Sequence, residues 1–242
     1  MTIANYLHLK WDSDFFGFKV ARIINDELDD AALSKTLKHL RNAGYRLVYW
    51  LFPVSYEKAF RIAISHGGLL VDEKVTYIKE VNALSYSEKV SLYKTVPYSG
   101  VVADDALIKL SLLSSEYSRF RFDQNFSREL SEKLYTCWIS RSVSREIASE
   151  VLVIKNINDY LGMITLGTKN GRGDIGLVAV AEDSRCKGLG RILVNDAERY
   201  FIEKNICLAQ VVTQKNNHGA CRLYELCGYH IEKIENVFHL WI

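Results

Sequence analysis

A short basic turn, Arg185-Cys186-Lys187-Gly188-Leu189-Gly190-Arg191, follows the apolar run IGLVAVAED and leads into ILVNDAERYF. Glycines at a strand-to-helix turn expose unpaired backbone N–H groups beside the positive end of the helix dipole, an arrangement suited to a pyrophosphate. Arg185, Lys187 and Arg191 add positive charge at the same place. Three phosphate-binding patterns compete for the segment. GxxxxGK[ST] is not met, because Gly188-Leu189-Gly190 runs into Arg191-Ile192. The dinucleotide fingerprint GxGxxG or GxGxxA fails at Leu193, and it also wants an acid about 20 residues on, at the end of the next strand, where Gln214 stands. RxxGxG remains, met by Arg185, Gly188 and Gly190. The plain alternative is a strand-to-helix turn with solvated basic residues.

A second segment, VVTQKNNHGACRLYELCGY, sets Asn217, Ala220, Leu223, Tyr224, Glu225, Gly228 and Tyr229 in the pattern N-x-x-A-x-x-L-Y-E-x-x-G-Y. With the two motifs in this order, one helix and one strand apart, the stretch from Val101 to Ile242 resembles the GNAT superfamily of N-acetyltransferases. That resemblance implies acetyl-CoA as cosubstrate and no metal. It implies a coenzyme site made of Arg185, Cys186, Lys187, Gly188, Leu189, Gly190 and Arg191, with Asn217, Ala220 and Tyr224 beside them. The pantetheine amides and the thioester carbonyl would meet backbone groups of Leu177, Val178, Ala179 and Val180, whose side chains are all apolar.

Acetyl transfer to an amine needs a neutral nucleophile, a polarised thioester carbonyl and a proton for the departing thiolate. A thiol of pKa ~8.5 is a fair leaving group, and a phenol of pKa ~10 can protonate it. Tyr224 is the candidate general acid; the alternative is an aromatic on the core face of its helix. Asn217, at the helix entrance, can cap it, contact the coenzyme, or do both. No general base stands out: Glu182 and Asp183 follow the strand as solvated turn residues, and His218 reads as an exposed helix-start histidine. Deprotonation of the amine through water is expected, with direct transfer in a ternary complex.

Two further stretches, LKWDSDFFGFKVARI and YSRFRFDQNFSRELSEKLYTCWISRSV, are similar in style and order to the dTDP-fucosamine acetyltransferases, GNAT enzymes that acetylate the 4-amine of dTDP-4-amino-4,6-dideoxygalactose. The resemblance implies a dTDP-amino sugar as acceptor, with Arg119, Phe120, Arg121 and Asp123 as substrate-binding residues. An arginine can pair with a diphosphate in a bidentate way and an aromatic can stack on thymine. The alternative is a surface loop anchored by Phe120, Phe122 and Phe126. Trp11, Asp12, Phe15, Phe16 and Gly17 are candidates for the acceptor or for core packing. Another amine acceptor (amino acid, polyamine or protein N-terminus) and a non-catalytic coenzyme A module are the rival functions.

The elements that must position these residues follow from periodicity. YLHLKWDSDFFGFKVARI reads as a bent or broken strand, ELDDAALSKTLKHLRNAG as a helix ending on Gly44, YRLVYWLFP as a buried strand stopped by Pro53, then a helix to Ser65 and the strand LLVDEKVTYIKEV. Periodicity is lost between Asn82 and Gly100, which suggests an α/β region over 1–97 and a GNAT-like domain over 98–242. The second part reads helix, helix, a VLVIKN and YLGMITLG hairpin turning at Asn156 to Asp159, the strand IGLVAVAED, a helix from Leu189 to Lys204, the strand CLAQVVTQ, the helix HGACRLYELCG and the strand VFHLWI. The fold class expected is α/β (α+β), and the resemblance to the GNAT superfamily implies a mixed, mostly antiparallel sheet flanked by helices, preceded by a smaller N-terminal α/β region.

The 242 residues carry 31 Lys and Arg against 29 Asp and Glu, too balanced for a protein that neutralises many nucleic-acid phosphates. No apolar run approaches the ~20 residues of a membrane span, and the N-terminus lacks a basic and apolar leader pattern. A cytoplasmic protein with no nucleic-acid or membrane partner is expected, and a homodimeric state stays open. Five cysteines without CxxC or zinc spacing suggest reduced, buried apolar residues.

Overall fold

The computed structural model describes residues 4–82, 92–157 and 159–242. The chain groups into two compact units, Met1–Val75 with Lys233–Ile242, and Thr76–Glu232.

The first unit holds β1 (Tyr6–His8), α1 (Lys10–Phe16), β2 (Lys19–Ile23), α2 (Asp30–Asn42), β3 (Tyr45–Pro53), α3 (Glu57–Ser65), the start of β4 (Leu69–Glu80) and most of β10 (His230–Trp241). Its strands lie in the order β1-β2-β3-β10-β4. β2 runs parallel to β3, while β1 with β2 and β3 with β10 are antiparallel. Val48, Trp50 and Phe52 of β3 and Phe238 and Leu240 of β10 alternate onto one face, where Leu33, Leu37 and Leu40 of α2 and Ala59 and Ile62 of α3 cover them. α2 starts where the Asp29 carboxylate accepts from the Ala32 N–H at 2.7 Å.

The N-terminal segment is a strand broken by a helix that was not expected: nearly two helical turns, α1, separate β1 from β2. Ser13 holds it by donating to the Leu9 carbonyl and accepting from the Val20 N–H, and Gly17 at φ 75° turns the chain back. A helix this short, rich in aromatic and Asp residues of low helix propensity, carries no periodic signal.

The second unit holds the end of β4, β5 (Thr95–Pro97), α4 (Asp105–Leu113), α5 (Arg119–Phe122), α6 (Arg128–Val143), β6 (Glu150–Lys155), β7 (Tyr160–Lys169), β8 (Arg172–Val180), α7 (Leu189–Glu203), β9 (Leu208–Gln214), α8 (His218–Leu226) and the first residues of β10. The strand order is β4-β9-β8-β7-β6-β5, antiparallel from β5 through β8 and parallel between β8 and β9. The architecture is the mixed, mostly antiparallel sheet flanked by helices that the resemblance implies. Leu107 and Leu110 of α4 and Ile139 and Val143 of α6 pack on Val151, Val153, Met163 and Ala179. Leu189, Leu193, Val194, Ala197 and Phe201 give α7 its buried stripe.

The compact units do not follow a single cut in the chain: strands pair by register, so residues from Lys233 join β3 in the first unit and residues 76–80 join the second. Part of the boundary stretch, residues 83–91, lies outside the described residues, as does Asn158 in the β6–β7 turn. The edge strand β5, only three residues with Pro97, and the polar half of β10 from His230 were not anticipated.

Candidate active site

The site begins with an irregularity in β8. Between Leu166↔Ile175 and Ile164↔Val178 the β7–β8 register slips, so three steps on β8 oppose two on β7. The extra residue is a bulge at Gly176 and Leu177. Thr165 lies opposite, and its buried hydroxyl accepts the Leu177 N–H at 2.8 Å. Gly176 is required there, because a Cβ would sit 2.6 Å from the same hydroxyl. Parallel pairing of β8 with β9 runs through Gly173↔Ala209 and Asp174↔Gln210 and ends at Ile175↔Val211, although β8 continues to Val180 and β9 to Gln214. Leu177, Val178, Ala179 and Val180 therefore lie past the end of that ladder. On the other side Val178, Ala179 and Val180 pair with Ile164, Met163 and Gly162. Ala179 is buried in the α4–α6 core and Leu177 packs against it.

The chain leaves β8 through a 3₁₀ turn, Glu182–Ser184, and enters the basic turn. Cys186 and Gly188 both take positive φ, 62° and 80°. Gly188 is the N-cap of α7 and offers no side chain to close it. The first helical turn donates only from Arg191 and Ile192 inward, to the Gly188 carbonyl at 3.1 and 3.3 Å, so the amides before them lack an intrahelical acceptor. Space around a Cβ at Gly188 is open, whereas one at Gly190 would meet the Leu223 side chain at 3.1 Å. Gly190 thus permits α8 to lie close to α7, a role the motif did not disclose. Cys186, Lys187 and the three neighbouring cationic or glycine positions Arg185, Gly188 and Arg191 are exposed; the Leu189 side chain is buried. Arg185 reaches the Val180 carbonyl and Arg191 the Leu226 carbonyl, each at 3.4 Å, which ties the turn to β8 and to the end of α8.

α8 starts differently. The Asn217 Oδ1 accepts from the Ala220 N–H at 3.1 Å, the capping role its position suggests. Tyr224, 4 % exposed, stands among aromatic rings, with Tyr77 5.9 Å and Tyr229 6.1 Å away between centroids. Burial pushes its phenol well above the ordinary tyrosine range, and Cys227 and Cys221 add to the shift. The phenolate is the form that burial disfavours, so Tyr224 keeps its proton at neutral pH. Burial likewise pushes the Cys227 thiol up to about 11.

Two residues of β4 hold this helix, and neither was singled out from sequence. The Tyr77 hydroxyl donates to Glu225 at 2.9 Å. Lys79 donates to Glu198 of α7 at 2.7 Å and to the Cys227 carbonyl, at the C-cap of α8, at 2.8 Å. A cation at a helix C-terminus also meets the negative end of the dipole. The only trace in the sequence is polar residues at alternate positions of a long strand, which equally describes an exposed face.

The expected acceptor-binding stretch is built around its own anchor. Phe120 is buried against Phe126 and Trp138 of α6, and the Arg119 guanidinium lies 4.7 Å over the Phe120 ring. Asp123 is fully buried, its Oδ1 accepting from both the backbone and side-chain nitrogens of Asn125 at 2.9 Å. Arg121 is exposed. The structure thus joins residues 177–191 and 217–226 into one neighbourhood, while the contacts described for 119–123 run to α6. The cysteines differ from expectation: only Cys227 is buried, and Cys186 and Cys207 are exposed.

Among the described residues no three His, Cys, Asp or Glu side chains are grouped as metal ligands, and no helix is long and apolar enough to cross a membrane. Residues 111–229 match the model of the acetyltransferase (GNAT) family. No curated protein matches the chain. Among solved structures, a conserved protein of unknown function from Staphylococcus epidermidis is 14 % identical with a TM-score of 0.65, over 93 % of this chain and 85 % of that one. A GCN5-related N-acetyltransferase from Kribbella flavida is 14 % identical with a TM-score of 0.62, over 99 % and 88 %. Another from Sphaerobacter thermophilus is 14 % identical with a TM-score of 0.56, over 91 % and 72 %. The family match covers just under half of the chain, and the solved structures share its fold; the dTDP-fucosamine branch is not among these findings.

Proposed function

We propose that the chain is an acetyl-CoA-dependent N-acetyltransferase whose GNAT-like domain spans residues 98–242 and whose acceptor is the amine of a nucleotide-linked amino sugar of the dTDP-4-amino-4,6-dideoxyhexose type. The observation that supports the coenzyme half is the meeting of two unsatisfied edges: β8 past Ile175, and the uncapped start of α7 at Gly188. Strand-edge amides suit a pantetheine chain, and helix-start amides with Arg185, Lys187 and Arg191 suit its pyrophosphate. Bound there, acetyl-CoA supplies the activated acetyl group. Tyr224, kept protonated by burial, gives its proton to the leaving sulfur. Asn217 fixes the start of the helix that carries Tyr224, and its Nδ2 is the atom left for the coenzyme. The amine loses its proton to water and attacks directly, with both substrates bound.

The acceptor half rests on the similarity of the N-terminal and central segments to amino-sugar acetyltransferases, with Arg119 and Arg121 as the diphosphate partners. Asp123 serves the loop itself, since its inward carboxylate is occupied by Asn125. The test is thiol release from acetyl-CoA with dTDP-amino sugars, UDP-amino sugars, amino acids and peptides. Turnover confined to the dTDP-linked amines is expected. Turnover confined to amino acids or peptides overturns the acceptor, and parallel initial-rate lines or an acetylated cysteine overturn direct transfer.

A further inference from the structure

We infer that Tyr77 of β4 is a positioning residue for Tyr224, acting through Glu225. The inference rests on Tyr224 being the general acid.

Tyr224 lies near the end of α8, a helix of nine residues and little more than two turns. Its first turn is held by the Asn217 cap. Toward its other end the ties come from β4 and from Arg191, which reaches the Leu226 carbonyl at 3.4 Å. Tyr77 and Lys79 are two apart and so project to the same side of the strand. Tyr77 donates to Glu225, the residue next to Tyr224, and its ring lies 5.9 Å from that of Tyr224 at an interplanar angle of 49°. Lys79 takes the carbonyl of Cys227, just beyond the helix. Tyr77 is buried, at 1 % exposure, and Lys79 is half-buried, so the Tyr77 tie starts inside the unit.

Glu225 itself is an exposed residue that needs no such partner for its own solvation. A buried tyrosine that spends its hydroxyl on an exposed carboxylate orders that carboxylate's backbone, and with it the helical turn bearing Tyr224. Rotation of α8 about its axis moves the Tyr224 hydroxyl sideways, where a small displacement of a reacting group is costly in rate. The Tyr77–Glu225 bond opposes that rotation, and the Tyr77 ring bounds the slot in which the Tyr224 ring sits.

The test is a double-mutant cycle in the full chain, with the panel acceptor that the wild type turns over fastest. Tyr77→Phe keeps the ring and breaks the tie; a fall in kcat of about tenfold is expected, with the KM for acetyl-CoA within about twofold. Glu225→Gln keeps an oxygen acceptor for Tyr77 and is expected to match wild type, whereas Glu225→Ala is expected to match Tyr77→Phe. In the Tyr224→Phe background, Tyr77→Phe is expected to change kcat no further, because the group it positions is gone. Additive losses, or an unchanged kcat in Tyr77→Phe while Tyr224→Phe is slow, overturn the positioning role and leave Tyr224 as the acid. An undiminished Tyr224→Phe, or a wild type that turns over no acceptor, overturns the role of Tyr224 and the inference with it. If Tyr77→Phe fails to fold, Glu225→Ala and Glu225→Gln carry the same comparison from the surface side.

Discussion

The two helices that frame the site begin in opposite ways. α8 opens on Asn217, whose side chain closes one of its own amides, and α7 opens on Gly188, in the left-handed region and with no side chain to offer. An α-helix start has four amides to satisfy; the Asn217 side chain takes one of those of α8, and Gly188 takes none of those of α7. The difference assigns work. The α7 start leaves more of its amides open to a ligand than the α8 start does. The same contrast separates the two arginine-bearing turns. Residues 185–191 keep their cations in solvent around an open backbone, while residues 118–125 close on themselves through Asp123, Asn125 and the buried Phe120.

The sharpest attack on this division is Tyr224→Phe, which leaves α8 and its packing intact and removes one hydroxyl. A fall in kcat of about 10²-fold or more is expected, with little change in acetyl-CoA affinity. Because burial holds the phenol above its ordinary range, kcat in the wild type should show no loss from Tyr224 deprotonation as pH rises to about 10. A fall centred below that value and absent from Tyr224→Phe would mean that Tyr224 itself loses its proton within the ordinary range, whereas a fall that persists in Tyr224→Phe belongs to another group.

Next in size is Gly188→Val, aimed at the open helix start. A β-branched residue at φ 80° costs roughly 1–2 kcal/mol of backbone strain, and it shields the amides. Calorimetry should show acetyl-CoA binding weakened by about tenfold or more, beyond what the lowered Tm accounts for. Binding that survives in a folded variant would return the turn to a plain connection. Gly190→Val is a poorer probe, since the added side chain pushes on Leu223 and disturbs α8 as well as the ligand.

The smallest effect is expected from Asn217→Ala. Loss of the cap should lower stability by about 1 kcal/mol, read by denaturant titration, with acetyl-CoA affinity changed less than in Gly188→Val. The reverse ranking would mean that Asn217 serves the coenzyme before it serves the helix.

Much of this arrangement is legible in the chain. Alternation and 3.6-residue spacing place β3, β6 to β9, α2, α3, α6, α7 and α8 within a few residues. Glycines after an apolar run mark the turn, and Asn217 stands at a helix start in a pattern that suggests its cap. These are local properties, set by residues close in sequence. α1 escaped because a seven-residue helix has too few turns to show a period, and β5 because three residues with a proline show no alternation.

What sequence could not supply was everything that depends on a partner far along the chain. The bulge that puts Leu177 opposite Thr165 follows from a fit between two strands, and the end of the β8–β9 ladder at Ile175 follows from how far they stay in register. Asp123, read as a substrate-binding acid, is buried with its Oδ1 on Asn125, a local turn contact that the spacing of charges does not disclose. Tyr77 stands 148 residues from Glu225 and Lys79 119 from Glu198, distances at which no spacing rule connects two positions. The residue types that could carry acetyl transfer, and the order in which they come, were determined by the sequence alone. Which amides are left open, which glycine serves helix packing and which side chains hold Tyr224 were decided by tertiary contact, because hydrogen bonds and close packing belong to pairs of residues and not to either one.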